Sequence, residues 1–214
     1  MMSCKELNDE TIPQLMELID PKEAEERYKL SEYIAYPFAE FADEEDEVQE
    51  IRLFKGDLHV ENTEPTMDRG WNRYNLIIDG NLTVDNDFFW AEDGNGCFIL
   101  VTGNVKAYCA TIKGNADVVI LGDLEVEHDV ITNYGEDGGA LVVRGAVKAP
   151  VFFEGFNFWV AVEKKDIGTY ISINEMDSGD KLLPEFLDDS RGSIRSGAIE
   201  EAVRKGEQVL KVQQ

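Results

Sequence analysis

From residue 48 to 162, apolar and polar positions alternate in short runs that restart after a glycine. The unit reads Leu53-Phe54-Lys55-Gly56-Asp57-Leu58-His59-Val60 and returns as Ile77-Ile78-Asp79-Gly80-Asn81-Leu82-Thr83-Val84. It recurs around Gly103-Asn104-Val105, Gly122-Asp123-Leu124 and Gly145-Ala146-Val147. The glycines are spaced by 24 (56 to 80), 23 (80 to 103), 19 (103 to 122) and 23 (122 to 145) residues. A period of about 20 residues marks stacked supersecondary units. Each unit is too short for a helix pair, lacks the leucine-rich consensus, and does not count in sixes as hexapeptide coils do. The pattern predicts a mainly β chain: a right-handed parallel β-helix (solenoid) with two or three short strands per coil.

Strand side chains alternate between faces, so the rows can be assigned. Leu58, Leu82, Val105, Leu124 and Val147 should point inward, as should Val60, Val84, Ala107, Val126 and Ala149. Between them His59, Thr83, Lys106, Glu125 and Lys148 should face water, with Lys106, Glu125 and Lys148 forming a ladder stepped by about 4.8 Å. Before the glycine, Phe54, Ile78, Val101, Ile120 and Val143 should point inward. Leu53, Ile77, Leu100, Val119 and Val142 should then point outward, yet all five are apolar. A bare stripe of that kind is sticky. The terminal helices are the expected cover, and a partner protein along that face is the alternative. The Asx residues after the glycines suit corners, because both residue types tolerate left-handed geometry and Asx side chains bond nearby backbone. Ala146 breaks this pattern.

The repeat divides the chain into a helical N-terminal segment with an acidic linker (1–47), the β-helix (48–162), and a C-terminal edge strand with a closing helix (163–214). Thr11-Ile12-Pro13 should start a short helix bearing Leu15, Leu18 and Ile19. Asp20 should cap a second, with Pro21 at its first position and Pro37 as its stop. Ile167–Ile173 reads as an edge strand, and Ser193 as the cap of a helix carrying Ile199, Ala202 and Val203. Solenoid ends carry unpaired strand edges, so these segments are expected to serve as caps.

Composition changes the picture on one point. Twenty basic residues stand against 44 acidic ones, a formal charge of −24. Such a field repels nucleic acid and anionic membrane and suits a basic protein partner. The odd cysteine count, Cys4, Cys97 and Cys109, implies free thiols in a reducing compartment. With no signal pattern and no membrane-length apolar run, the chain reads as cytoplasmic.

Candidate chemistry is sparse. There is no phosphate-binding loop and no dinucleotide fingerprint. His59 and His128 lack ligand spacing, and Cys97 and Cys109 sit in apolar strand contexts where thiols are usually inert. Asp93, Asp117, Asp123 and Glu125 could serve as paired carboxylates in a carbohydrate-active β-helix enzyme. Calcium could bind at Asp93-Gly94-Asn95-Gly96 or Glu136-Asp137-Gly138, although neither matches an EF-hand loop. No cofactor is expected. The expected contact surface is the acidic run Asp43-Glu44-Glu45-Asp46-Glu47 with the loops at Asp93 and Glu136-Asp137, and Trp71 or Trp90 as aromatic anchors.

The Gly-Asp/Asn-Leu units resemble those of a group of bacterial β-solenoid proteins. So do the aromatic piece Phe152 to Trp159 and the tail from Lys181-Leu182-Leu183-Pro184 to Ala202-Val203-Arg204-Lys205-Gly206. The likeness covers most of the chain from about residue 50. Some of that group are polymer-forming or bactofilin-like; others are immunity proteins of polymorphic toxin systems. The shared motifs are structural and supply no catalytic residue to carry over. The bactofilin-like members usually have disordered tails and an uncapped core, whereas this chain reads as capped. The resemblance implies a non-enzymatic protein that neutralises a basic toxin by direct binding. Structural self-association is the alternative.

Overall fold

The computed structural model describes residues 15–34, 51–63, 75–92, 98–133, 139–173, 182–187 and 194–211. The chain is mainly β and winds into a parallel solenoid of about five turns. Its strands are β1 (Glu17–Leu18), β2 (Ile51–Lys55), β3 (Leu58–Val60), β4 (Asn75–Asp79), β5 (Leu82–Glu92) and β6 (Phe98–Val101). They continue with β7 (Val105–Gly114), β8 (Asp117–Ile120), β9 (Leu124–Val126), β10 (Asp129–Asn133), β11 (Gly139–Glu154) and β12 (Phe158–Ser172). The helices are α1 (Pro21–Tyr28) and α2 (Ser196–Arg204).

Parallel pairing sorts these strands into three walls. The first stacks β2, β4, β6, β8 and the starts of β11 and β12. The second stacks β3, the start of β5, the start of β7, β9 and the middles of β11 and β12. The third stacks the ends of β5 and β7, then β10, then the ends of β11 and β12. Register shifts at Val84/Asp87 and Val143/Ala146 turn the chain from one wall to the next.

The two inward rows beside each glycine are as expected. Leu58, Leu82, Val105, Leu124 and Val147 share one core with Ile78, Val101, Ile120 and Val143, and Phe54 packs against it. Phe88, Ala110, Val130 and Phe152 complete that core from the third wall.

The outward apolar row is covered by the chain itself. Leu53, Ile77, Leu100, Val119 and Val142 form a second core with Ile19, Ala24, Tyr28, Leu30 and Ile34. Asp20 caps α1 as expected: its Oδ1 accepts from the backbone N–H of Lys22 at 2.9 Å and of Glu23 at 3.3 Å. The helix stops earlier than Pro37, at Lys29, whose φ of 56° is left-handed. Of the expected first helix, Leu15 lies in a 3-10 turn, and Glu17–Leu18 form strand β1, paired antiparallel with β2. Thr11, Ile12 and Pro13 lie outside the described residues.

The third wall carries a similar outward row, Ile131, Phe153 and Ile171, covered by Leu182, Phe186, Ile199, Ala202, Val203 and Val209. Both helices therefore lie along walls; among the described residues neither is seen closing an end. The boundary expected at 162 falls inside β12, which pairs with β11 from Phe158 to Ser172. Ser193 lies outside the described residues, and α2 starts after Arg195 without a side-chain cap.

The corner between the first and second walls explains the glycine-Asx pair differently from local turn chemistry. Each Asx side chain bonds the next coil. Asp57 Oδ1 accepts from the Asn81 N–H, Asn81 Oδ1 from Asn104 N–H, Asn104 Oδ1 from Asp123 N–H, and Asp123 Oδ1 from Ala146 N–H, each at 2.8 Å. Ala146 has no side-chain acceptor, so the ladder ends there. Of the five repeat glycines only Gly56 has a left-handed φ, +103°. The others are needed for close approach: a Cβ on Gly80 would sit 2.3 Å from the Gly56 carbonyl oxygen.

Candidate functional site

The proposed contact residues are unevenly placed. Asp43, Glu44, Glu45, Asp46, Glu47, Trp71, Asp93, Glu136 and Asp137 lie outside the described residues. Trp90 is described and is 1% exposed, stacked above Ile112 inside the solenoid. It fills the coil and cannot anchor a partner. Phe88 and Phe152 are likewise inside, and Phe153 lies under the C-terminal cover. Among the described residues, the exposed aromatics are Phe156 and Trp159, 56% and 59% exposed, with Tyr108 at 48%. Sequence reasoning passed over Trp159. It stands on the outward row of the first wall, beside Ala140 in the last coil.

The outer row of the second wall faces solvent. His59, Lys106, Glu125 and Asp166 are exposed there. Lys106 pairs with Glu125 at 3.6 Å, and His59 with Asp85 at 2.7 Å. Lys148 stands in register with Glu125, as the expected ladder requires, but its ammonium pairs with Asp123 at 3.3 Å. The hydrogen bond from Ala146 N–H and the Lys148 ammonium hold the Asp123 carboxyl below its usual range. Among the described candidate acids, Asp117 belongs to the first wall and Glu125 to the second; Asp93 lies outside the described residues.

Two buried or half-buried polar clusters hold the covers. Arg27 and the Tyr28 hydroxyl both donate to Asp79 Oδ2, at 2.8 and 3.0 Å. Burial, then the Asp79 carboxylate, pushes the Tyr28 hydroxyl up to about 12. Glu200 on α2, 9% exposed, accepts from Lys113 and from Asn133 at 2.8 Å, and pairs with Arg204 at 3.2 Å.

Among the described residues, a grouping of chemistry-bearing side chains stands at the corner between the second and third walls. Cys109 and Asp129 occupy the same register one coil apart, and His128 precedes Asp129. Their sulfur, nitrogen and oxygen atoms lie within 4.8 Å of one another. The Cys109 thiol donates to Asp129 Oδ1 at 3.4 Å, and His128 Nδ1 contacts the same oxygen. Asp129 is 1% exposed, and its Oδ2 is buried without a hydrogen-bond partner. Tyr108 stacks on His128 at 5.6 Å. Gly206, just past α2, lies beside the ring: a Cβ there would stand 3.9 Å from His128 Nε2.

This is not the order of a nucleophilic triad, which places the imidazole between thiol and carboxylate. Here the carboxylate is central. Burial, then Asp129, pushes the Cys109 thiol up to about 12, so it stays protonated and weakly nucleophilic. The three residue types are, however, a familiar set of metal donors. Residue-to-residue spacing along the chain hides the cluster; the 20-residue step from Cys109 to Asp129, one coil, reveals it.

Comparison with known proteins gives no match to a family, to a curated protein or to a solved structure.

Proposed function

We propose that the protein is a non-enzymatic cytoplasmic binding protein, most concretely an immunity protein that neutralises a basic bacterial toxin domain by direct contact. The carrying observation is the charge of −24 on a solenoid whose own ends bury the outer faces of two walls. The chain has thus satisfied its own apolar rows and presents an acid-rich remainder. That field speeds encounter with a basic partner. Toxins that act on nucleic acid are commonly basic because their substrate is a polyanion. The acidic run Asp43–Glu47 and the loops at Asp93 and Glu136-Asp137 are the proposed contacts, and Trp159 takes the anchor role from Trp90. The winding is inferred to be right-handed, the strong preference of parallel crossovers.

The test is co-purification and kinetic binding with the basic product of a neighbouring gene. Immunity predicts a complex that abolishes toxicity, with an on-rate that falls steeply with salt. Charge reversal of Asp43–Glu47 should slow association and flatten the salt dependence. A neighbourhood without a toxin-like product, and no complex at moderate salt, would remove the reading.

One observation favours a second reading, bactofilin-like self-association. Strand β12 spans 15 residues and, among the described residues, pairs only with β11. Such an edge is a template for another chain. The run Glu163-Lys164-Lys165-Asp166 at its centre opposes this. Long polymers in light scattering or electron microscopy at neutral pH would favour assembly over immunity.

A further inference from the structure

We propose that Cys109, His128 and Asp129 form a binding site for one divalent cation of the zinc class, at the corner between the second and third walls beside the end of α2. The donor set is the first reason. A thiolate and an imidazole select a borderline-soft ion over magnesium or calcium, and a carboxylate completes a three-residue site.

Geometry is the second. A tetrahedral zinc with bonds of about 2.3 Å to sulfur and 2.1 Å to oxygen separates those two donors by about 3.6 Å. Cys109 Sγ and Asp129 Oδ1 stand 3.4 Å apart. The His128 nitrogen must back away from Asp129 to admit the ion. Its side chain is 34% exposed, which leaves it room. The same exposure leaves the fourth coordination position open to water.

The third reason is the buried carboxylate. Asp129 has one oxygen shared by two neighbours and a second with no hydrogen-bond partner, in a residue 1% exposed. A buried unpartnered carboxylate oxygen is costly. Among the described residues, the cluster is short of positive charge. Asp87 stands in the same stacked row as Cys109 and adds a second nearby carboxylate. Arg204 reaches only as far as Thr111 Oγ1, at 3.3 Å, and Lys113 is turned to Glu200.

On binding, the S–H bond of Cys109 breaks, its proton goes to solvent, and sulfur bonds the ion. His128 binds as the neutral imidazole through one nitrogen. Thiolate and carboxylate then balance the dication, and one proton is released per ion when His128 starts neutral. The ion would tie β7 to β10 next to the C-terminal cover.

The experiment loads the full chain with Zn²⁺ in excess Mg²⁺, which occupies weak surface carboxylate sites, and then desalts it. One equivalent should remain. X-ray absorption of that sample should show one sulfur at about 2.3 Å with nitrogen and oxygen neighbours. Cobalt loading should give a thiolate charge-transfer band. Cys109→Ser should abolish the band and, like His128→Gln, weaken zinc retention by at least about tenfold, the scale lost on disturbing a zinc site's surroundings. Cys4→Ser and Cys97→Ser should change neither. No retained zinc, a shell of oxygen only, two or more sulfurs, or undiminished binding by Cys109→Ser would each overturn the site. The absorption measurement uses the unmutated chain, so it stands even if a variant misfolds. None of these readouts depends on the toxin-binding reading.

Discussion

Replacing Asp117 by Asn should stabilise the protein near neutral pH and leave it almost unchanged in acid. Asp117 opens β8 and points to the outer side of the first wall, in the row that holds Phe98 and Ala140. Phe98 belongs to the apolar layer under the N-terminal cover. Among the described residues no hydrogen bond or ion pair reaches the Asp117 carboxylate, and burial raises its pKa from 3.8 to about 6. The sign follows from linkage. Below about pH 3.8 the group is protonated folded and unfolded, and nothing is lost. Between that pH and about 6 the unfolded chain ionises first, so it binds fewer protons and stability falls as pH rises. Above about pH 6 both states are ionised and the loss is complete. At 1.36 kcal/mol per pKa unit, the loss is at most about 1.6 kcal/mol at about pH 5 and at most about 3 kcal/mol at about pH 7.5. Asn keeps the shape without the charge. Urea unfolding of both proteins across this range, compared as differences, cancels the background from the other carboxylates. A stability gain that grows with pH and levels off above about pH 6 supports the reasoning. A pH-independent difference, or a variant less stable than the parent at about pH 7.5, would refute it.

Further outcomes follow from the covers and the corner. Gly103→Ala should destabilise by about 1–3 kcal/mol, the scale of overpacking, because its Cβ would meet Asn81 Oδ1 at 2.5 Å and the Gly80 carbonyl oxygen at 2.7 Å; chemical unfolding checks it, and a neutral result would show that the coils can part there. Asn104→Ala removes the acceptor for Asp123 N–H and should cost about 1 kcal/mol, read from the same unfolding curves. Glu200→Ala should loosen the C-terminal cover, since Lys113, Asn133 and Arg204 lose their shared acceptor. Hydrogen exchange should rise in residues 194–211 and change little in α1; uniform acceleration would place Glu200 in the global core instead. Tyr28→Phe should cost about 1 kcal/mol through the lost bond to Asp79, with faster exchange in α1 as its mark.

The sequence alone determined the solenoid and the direction of its side chains around each glycine. The repeat and the two-residue alternation are local properties, and stacking turns a local pattern into long rows without any further choice. The same logic identified the outward row Leu53 to Val142 as a face needing a cover. It also named the terminal helices as the cover, and the segment carrying α1 fills that role; it did not say which end would, because α1's thin apolar side marks a helix that packs without saying where. Nor did it place the second cover over Ile131, Phe153 and Ile171. Strands β5 and β7 both run round a corner, but only β7 changes phase there: Val105 and Ala107 point inward, and then Ala110 and Ile112 do, which leaves Cys109 outward in line with Asp129. Strand β5 keeps its phase from Leu82 to Trp90, so plain alternation already places Trp90 inside. The Asx ladder was legible as a pattern but misread as local turn chemistry, since its hydrogen bonds join residues 19 to 24 apart. Contacts between neighbours in a coil are written in the sequence. Contacts between coils, and between coils and the chain's ends, depend on how much each corner advances the register, and only the tertiary structure decides that.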